Sequence, residues 1–409
     1  MEGERLIPHL FRQESGKIIS TLSRYWGIGH LQVAEDIAAE TFLKALETWP
    51  YHGVPDNPVA WLYRVARNLS LNYLKRNQRF QDVVSQNYTS GDLDGEAGED
   101  VLFKADNIRD SQLAMLFAIC QTDLPAASQI ALALRILCGF SIGEIANAFL
   151  SNEETINKRL YRAKEKLRQQ AIPLTKVDTT CCPEQLDAVL TMLYLLYNEG
   201  YYSENHDQIL RKDLCLEAIR LTALLTEDPD MDTPEVNALL ALMSFQTSRF
   251  EARINTLGEM VLYADQDVDR WNEELIRQGI YFLNRSARGD HLSKYHLEAM
   301  IAYYYTEKEE TGEKWSKVLE LFDLLKEVDQ NPVVELNRIY AFAKVFGNRK
   351  AIVEAEKLPP LSNQYYNLLL GVLYLEINRD QAMDYFQEAI NRTSSAAERS
   401  FIRKNYLEK

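Results

Sequence analysis

Apolar residues recur at helical spacing through most of the chain. One early series comprises Val33, Ile37, Phe42, Ala45 and Leu46. A helix predicted from Val59 to about Arg79 carries a second stripe, made of Trp61, Leu62, Val65, Leu69 and Leu74. Spacings of three and four place side chains on one helix face. Because Gly (17) and Pro (12) are few and long β-branched runs are missing, the sequence predicts an all-α protein.

A second helical block spans about 106–172. Pro125 is expected to open a helix that runs to Cys138, with Gly139 as its C-cap, and Ser141 is expected to cap the next helix. Two short helices joined by a tight turn are then predicted over 141–170, the outline of a helix-turn-helix.

The second helix of this hairpin has a predicted start and a predicted core face. Ser151 and Glu154 fit the capping box S-x-x-E, in which a hydroxyl and a carboxylate satisfy free amide donors at a helix start. The predicted buried stripe comprises Ile156, Leu160, Ala163 and Leu167. Its other faces are polar and largely basic.

The C-terminal part resembles a series of helix pairs. Segments beginning at Asn331 and Asn363 align with a period of 31 when Ala351 is matched to Ala382. The second of them shows the tetratricopeptide spacing A-x3-F-x2-A, at Ala382, Phe386 and Ala389. Segment 234–255 is expected to form a more degenerate pair. We therefore predict a helical-repeat, tetratricopeptide-like domain.

Length and composition indicate how these elements are grouped into domains. A chain of 409 residues is long enough for two to four domains. Residues 82–105 are polar, acidic and glycine-bearing, which is typical of a flexible linker. The predicted ranges are 1–81 and 106–172 for two small helical domains, 82–105 for the linker, and 183–409 for the repeat domain.

The acidity of the chain lies in its C-terminal part. The net charge is -15, with pI near 5.0. Residues 1–176 hold 20 Lys/Arg against 21 Asp/Glu, whereas residues 177–409 hold 25 against 39. Residues 155–176 alone carry seven basic residues and one acid. Because phosphate binding depends on local basic patches, the acidic total does not argue against DNA binding.

Signals for catalysis, metal binding and export are missing from the sequence. The six histidines are scattered, and neither a phosphate-binding loop nor a hydrolase motif occurs. The five cysteines show no zinc-ligand spacing, which is typical of idle thiols in a reducing compartment. No apolar run approaches the roughly 18 residues that span a bilayer. We expect a cytoplasmic protein without enzyme activity, cofactor, metal or membrane contact.

Two helices are candidates for nucleic-acid binding. In the hairpin, the expected base readers are Asn152, Glu154, Thr155, Asn157 and Lys158, and the expected phosphate contacts are Arg159, Arg162 and Lys166. In the earlier helix, the expected DNA contacts are Arg64, Arg67, Asn68, Asn72, Lys75, Arg76 and Arg79. From the pattern alone, an ordinary helix pair with a solvated face fits the hairpin equally well. For the earlier helix, a core stripe with solvated arginines fits better.

Two blocks of sequence resemble a known family. AEDIAAETFLKALETWP with NPVAWLYRVARNLSLNYLKRNQR resembles the second domain of bacterial extracytoplasmic-function sigma factors. LPAASQIALALRILCGFSIGEIANAFLSNEETINKRLYRAKEKLR resembles their fourth domain. The segment LDAVLTMLYLLYNEGYYS with RKDLCLEAIRLTALL is similar to the subgroup that carries a C-terminal tetratricopeptide-like extension.

The resemblance implies partners and residue roles. Such a protein binds core RNA polymerase and directs it to promoter DNA. Asp36, Glu40, Phe42 and Ala45 match the segment that docks on the clamp helices of the largest polymerase subunit. Helix 59–79 matches the segment that melts and reads the minus-10 element, with Arg67, Asn68 and Asn72 near the non-template strand. The hairpin matches the reader of the minus-35 element, and the linker would lie along the polymerase.

One position departs from the family pattern, and the role of the extension stays open. Many members have Gln where this chain has Ala39, which puts the polymerase contact at that position in doubt. We expect residues 177–409 to regulate the sigma domains in cis or through a protein partner, and the resemblance allows either inhibition or a requirement for activity. The alternatives are a one-component helix-turn-helix regulator with a sensing repeat domain, and a helical adaptor without a DNA role.

Overall fold

The protein is helical in every part that the structure describes. The computed structural model describes residues 2–76, 101–149, 151–170, 172, 174, 183–201, 208–255, 261–358, 364–393 and 396–408. The regular elements of these residues are helices, which confirms the all-α prediction. The chain divides into two compact units, Met1–Met231 (unit 1) and Asp232–Lys409 (unit 2).

Unit 1 consists of consecutive α-helices. Those described are α1 (Glu2–Trp26), α2 (Leu31–His52), α3 (Pro58–Arg76), α4 (Ala105–Cys120), α5 (Ala126–Ile136), α6 (Ile142–Ala148), α7 (Glu153–Gln169), α8 (Pro183–Tyr201) and α9 (Gln208–Thr226). Most of the predicted linker (82–100), together with Arg79, Cys181 and Cys182, lies outside the described residues.

Helices α1, α2 and α3 pack on one another as a first module. The rings of Phe11 and Phe42 meet edge to face, with centroids 5.0 Å apart, between α1 and α2. The start of α3 is fixed by Asn57, whose Oδ1 accepts a hydrogen bond from the Ala60 amide (3.0 Å), with Pro58 as the first helical residue. The apolar stripe of α3 faces the other two helices and thereby exposes its polar face.

Helices α5, α6 and α7 pack on one another as a second module, and α4, which is buried along nearly its whole length, packs on α1, α8 and α5. Helix α5 ends at Ile136, two residues before the predicted Cys138. The chain turns there because Gly139 adopts φ +66°, and the Phe140 amide bonds to the Leu134 carbonyl (3.0 Å). The predicted C-cap at Gly139 is therefore wrong: the C-cap is Leu137, and Gly139 forms the turn two residues later.

The helix caps of the hairpin differ in part from the prediction. Ser141 caps α6 as predicted, and it forms a complete capping box with Glu144. At α7, the predicted Ser151–Glu154 capping box is wrong. The N-cap is Asn152, whose side chain accepts from the Thr155 amide at 2.8 Å. Serine and asparagine are both strong N-caps, so the sequence could not decide between these adjacent positions.

Helices α8 and α9 pack as a hairpin against the second module. Helix α8 contacts α4 and α5, and α9 contacts α4 and α6. These two helices follow Pro183, where the sequence predicts the repeat domain to begin, yet they belong to the compact unit that holds α1 to α7. The buried thiols Cys120, Cys138 and Cys215 lie in this unit, and burial raises the pKa of the Cys120 thiol.

Unit 2 is built from helices that pack mainly on their neighbours in the chain. Its described α-helices are α10 (Pro234–Ser248), α11 (Glu273–Ser286), α12 (Lys294–Tyr304), α13 (Gly312–Val328), α14 (Pro332–Phe346), α15 (Asn348–Ala355), α16 (Gln364–Tyr374), α17 (Arg379–Arg392) and α18 (Ala396–Ile402). The pairs α14–α15 and α16–α17 confirm the two predicted repeats. In the second pair, a Cβ on Gly371 of α16 would lie 2.5 Å from the Phe386 ring of α17. The two helices approach closely because a glycine faces an aromatic ring.

The predicted degenerate pair over 234–255 is wrong. This segment forms one helix, α10, followed by the 3₁₀ turn Phe250–Ala252. The partner of α10 is α11, where a Cβ on Gly279 would lie 2.6 Å from the Phe245 ring. The small residue that permits the close approach, Gly279, therefore lies outside the segment in which the sequence predicted the pair.

Candidate nucleic-acid interface

Helix α7 presents a polar face opposite its buried stripe. Ile156, Leu160, Ala163 and Leu167 are buried as predicted. The first turns of α7 expose most of the predicted readers, namely Asn152, Glu154, Thr155, Asn157, Lys158 and Arg162, while Arg159 and Lys166 are half-buried. Because the N-terminal turns of a recognition helix face the base edges in the major groove, this exposure suits a DNA-reading role.

Several of the basic side chains on α7 already have partners. Lys158 pairs with Glu154 one turn earlier (Nζ–Oε1 2.6 Å). Lys166 donates to the Asp123 carbonyl (2.7 Å), and the Arg159 guanidinium lies 5.3 Å from the centre of the Phe149 ring. The exposed Lys158–Glu154 pair is worth little and is easily exchanged for a phosphate, whereas Arg159 and Lys166 also fix α7 to its neighbours.

Tyr161 is an exposed residue of this face that the sequence analysis missed. It is 67% exposed, more than most large aromatic residues of this chain. It lies between Lys158 and Arg162, one position after the buried Leu160. The helical spacing contained this information, because position 161 does not belong to the buried stripe formed by positions 156, 160, 163 and 167.

Helix α3 carries a ladder of polar residues on one side. Arg64, Asn68, Asn72, Lys75 and Arg76 are exposed, and the first three follow one another at steps of four residues. Arg67 is half-buried. Arg79, the last predicted contact, lies outside the described residues. The ladder therefore groups most of the predicted contacts on one continuous face.

The aromatic residues beside this ladder are packed within the protein. Trp61 meets Trp49 at 5.4 Å, and the Tyr63 ring stacks on Phe103 at 4.8 Å. The Tyr63 hydroxyl donates to Glu14, and burial together with this carboxylate raises the pKa of Tyr63. In this arrangement the cationic and amide groups of α3 face outward and its aromatics face inward.

Helix α2 places the four predicted polymerase contacts on two different faces. Asp36 and Glu40 are exposed one turn apart. Phe42 is 3% exposed and Ala45 is fully buried, both inside the first module. The exposed face of the helix carries instead the apolar Leu43 and Leu46, which lie beside the two acids. The contact of all four with polymerase stays a prediction.

Neither a metal site nor a membrane segment is apparent in the described part of the chain. Among those residues, no group of three or more His, Cys, Asp or Glu side chains could hold a metal ion. No helix that the structure describes is both long enough and apolar enough to cross a bilayer.

Comparison with protein families assigns three segments. Residues 10–80 match sigma-70 region 2, and residues 122–167 match sigma-70 region 4. These segments contain α2–α3 and α5–α7, the helices that carry the candidate faces. Residues 185–287 match a family of unknown function, DUF6596, which begins in α8 and ends just after α11. No solved structure matches the chain.

Individual relatives extend over different parts of the chain. An uncharacterized protein of Rhizobium meliloti is 36% identical over 391 residues, which cover 94% of this chain and 91% of the relative. The ECF RNA polymerase sigma factor BldN of Streptomyces coelicolor is 31% identical over 143 residues, about half (51%) of its length. The ECF RNA polymerase sigma-E factor of Escherichia coli is 28% identical over 167 residues, which cover 39% of this chain and 83% of that protein. The chain is an extracytoplasmic-function sigma factor of the sigma-70 family, with a helical C-terminal extension.

Proposed function

We propose that this sigma factor binds core RNA polymerase and starts transcription at promoters whose minus-35 element is read by α7 and whose minus-10 element is read by α3. The supporting observation is that one chain carries two outward-facing polar helices on two separate modules, each within the matching sigma-70 region. A one-component regulator needs only one such helix.

The minus-35 element would be read by the first turns of α7. Asn152, Glu154, Thr155, Asn157 and Lys158 are placed to meet base edges in the major groove. Arg159, Arg162 and Lys166 would hold the flanking phosphates. A good bidentate contact to a base discriminates by about 1–3 kcal/mol, whereas a phosphate contact strengthens binding to all sequences.

The minus-10 element would be opened and held along the ladder of α3. Extruding a base from the duplex costs a few kcal/mol, which contacts to the single strand must offset. Arg67, Asn68 and Asn72 would contact the non-template strand. Arg64, Lys75 and Arg76, with Arg79 beyond them, would neutralise phosphates on either side.

Core polymerase would dock on the outward face of α2, through the clamp helices of its largest subunit. This face combines the acids Asp36 and Glu40 with exposed Leu43 and Leu46, an apolar centre with a charged rim. Ala39 lies on the same face, where a larger amide would add a hydrogen bond. Phe42 and Ala45 would act indirectly, by holding α2 in place. Because polymerase and promoter DNA are intracellular in bacteria, we place this function in the cytoplasm.

We further propose that the C-terminal helical region regulates these activities in cis or through a protein partner. Its net charge of -14 over residues 177–409 opposes the basic face of α7. Deletion of residues 232–409 tests the contribution of unit 2, which carries -6 of this charge, since unit 1 ends at Met231. A folded unit 1 that initiates transcription at a higher or a lower rate than the full-length chain would support regulation. An unchanged rate of initiation, under every condition in which the full-length chain is tested, would contradict it.

The reading roles are tested with full-length chain, core polymerase and a promoter selected from random DNA. Arg162→Ala should weaken binding to all promoters and lower the salt dependence by about one phosphate contact. Asn157→Ala should relax the sequence preference within the minus-35 element. Lys357→Ala, on an exposed pair in unit 2, is the control. If both α7 variants behave like this control, α7 is not the reading helix.

A further inference from the structure

Helix α10 of unit 2 ends at a buried arginine. Arg249 is the C-cap of α10 and is only 9% exposed. Its guanidinium forms no ion pair within the part of the chain that the structure describes, and its Nε is buried without a hydrogen-bond partner there. Because an unpaired charge is costly to bury, proteins usually pair such a group with a carboxylate.

A buried lysine nearby differs from Arg249 in that its partners are complete. Lys314 on α13 is 2% exposed. Its Nζ donates to the Tyr263 hydroxyl (2.9 Å), to a backbone carbonyl (3.0 Å) and to Glu310 Oε1 (2.7 Å), which uses all three of its donors. The other oxygen of Glu310 accepts from the indole N–H of Trp315 (2.8 Å). The Glu310 carboxylate is therefore fully used and does not neutralise Arg249.

Aromatic rings lie against the Arg249 guanidinium. It is 5.3 Å from the centre of the Tyr263 ring and 5.5 Å from that of Tyr305. These two rings meet edge to face at 5.0 Å, and the Trp271 ring lies nearly parallel to Tyr263, with centroids 6.5 Å apart. Aromatic faces attract a cation, but they supply no hydrogen-bond acceptor that matches the guanidinium fork. The rings therefore form an apolar surrounding in which the fork stays unused.

Further unused polar atoms occur in the same stretch of chain. The indole Nε1 of Trp271, a residue that is 6% exposed, is buried without a partner among the described residues. The same holds for the side-chain oxygens of Gln246, one turn before Arg249 on α10, and of Gln266, three residues after Tyr263. Buried polar atoms are nearly always hydrogen-bonded in a core, whereas a binding site keeps a few of them for its ligand.

The charge and shape of these groups favour one class of ligand. A guanidinium binds a carboxylate through two parallel N–H···O bonds in one plane. One carboxylate also supplies the single negative charge that Arg249 needs, whereas the second charge of a phosphate would have no partner, because Lys314 is already used. An aromatic body on the ligand would continue the packing of the surrounding rings.

We propose that unit 2 binds a small aromatic carboxylic acid at Arg249, against the rings of Tyr263, Tyr305 and Trp271. The carboxylate pairs with the guanidinium, and the ring of the acid packs on the aromatic side chains. The unused indole N–H and the two glutamine oxygens are available to polar substituents of the acid. In the proposed function, such a site would receive a small-molecule signal on the regulatory extension. The binding itself does not depend on that role.

Nuclear magnetic resonance of the full-length protein, labelled with ¹⁵N in its tryptophans, tests the proposal. The probes are benzoate, 4-hydroxybenzoate and indole-3-acetate, and Trp271→Phe assigns the indole signal of Trp271. At least one of these acids should shift that signal in a saturable manner. Benzamide, which has the ring of benzoate without its charge, should bind about tenfold more weakly or worse. Inorganic phosphate, which has no ring, should also bind about tenfold more weakly or worse.

Variants of Arg249 separate the guanidinium fork from its charge. Arg249→Lys keeps the charge and loses the fork, so it should weaken binding of the acids about tenfold, and Arg249→Met should abolish it. Arg277→Lys is the matched control, because Arg277 is an exposed arginine of α11 that pairs with Glu274. It should bind the acids like the unsubstituted protein. If Arg249→Met fails to fold, the conservative Arg249→Lys decides.

Three results would overturn the proposal. None of the three acids moves the Trp271 signal at millimolar concentration, or phosphate or benzamide binds as tightly as the acids, or Arg249→Lys binds them like the control. Because binding is measured without polymerase and DNA, each of these results leaves the proposed sigma function untouched.

Discussion

Replacing Asn152 by alanine removes the side chain that caps the proposed reading helix. Its Oδ1 accepts from the Thr155 amide at 2.8 Å. That amide lies in the first turn of α7, where no helical carbonyl is available as an acceptor. Loss of an N-cap costs about 1 kcal/mol, within a range of roughly 0.5–2. The first turn of α7 should therefore open about fivefold more often.

Amide hydrogen exchange of the free full-length protein measures this opening at Ile156, whose amide donates to the Asn152 backbone carbonyl (3.2 Å). In Asn152→Ala this amide should exchange about fivefold faster, a direct reading of the local equilibrium. Asn152→Asp should exchange like the unsubstituted protein, because aspartate is an equally good N-cap. Measurement without DNA keeps the result independent of any base contact made by Asn152.

Ser151→Ala is the matched control, since Ser151 is the neighbouring residue and the cap that the sequence pattern favours. Its replacement should leave the Ile156 exchange rate within a factor of two. Equal acceleration in Ser151→Ala and Asn152→Ala would refute the assignment of the cap. No acceleration in Asn152→Ala would refute the reasoning that this hydrogen bond holds the first turn.

Two further predictions concern unit 2. Gly371→Ala should destabilise it by about 1–3 kcal/mol, because the new methyl group would overlap the Phe386 ring, whereas Gly312→Ala, with nothing near its Cβ position, should be nearly neutral in thermal unfolding. His296 is buried, its Nδ1 accepts from the Ser293 amide, and burial lowers its pKa below the ordinary 6.5. The unfolded chain therefore binds the proton more readily than the folded chain. The contribution of His296 to the free energy of unfolding should be complete above pH 6.5 and decrease as the pH falls toward the lowered pKa. Denaturant titrations at pH 7.5 and 5.5 should show this loss of stability, and His296→Gln should make the loss smaller.

The sequence predicted the helices and their core faces well because helical spacing is local information. The buried stripe of α7 and the two repeats that begin at Asn331 and Asn363 are confirmed. Each was predicted from its own segment of sequence, without information on its packing partners. The helix ends were less certain. Ser151 and Asn152 offer the same capping chemistry one residue apart, and only the backbone conformation at Asn152 decides between them.

Contacts between distant segments could not be read from local patterns. Gly16 sits in a helix where its small size has no local purpose, and its role becomes clear only against Leu137. Arg220 looks like an ordinary repeat residue until its hydrogen bond to the Leu137 carbonyl is seen. The helices around Arg220 therefore pack with the sigma modules, although the sequence groups them with the repeats.

The candidate faces were predicted by residue type, and the structure adds which side chains are exposed. Asp36 and Glu40 are outward, whereas Phe42 and Ala45 are enclosed by the first module, as a spacing of i, i+3 along the apolar stripe requires. Tyr161 was missed because only the polar and charged residues of the exposed face were considered as candidates.

Transcription of fragmented genomic DNA from the source organism shows whether the chain directs core RNA polymerase to promoters. Core polymerase is incubated with and without the full-length protein, and the 5′ ends of the transcripts are sequenced. We expect new start sites that appear only with the protein and share one minus-35 and one minus-10 element. Transcripts identical to those of core polymerase alone, from protein that is folded by circular dichroism, would contradict this expectation.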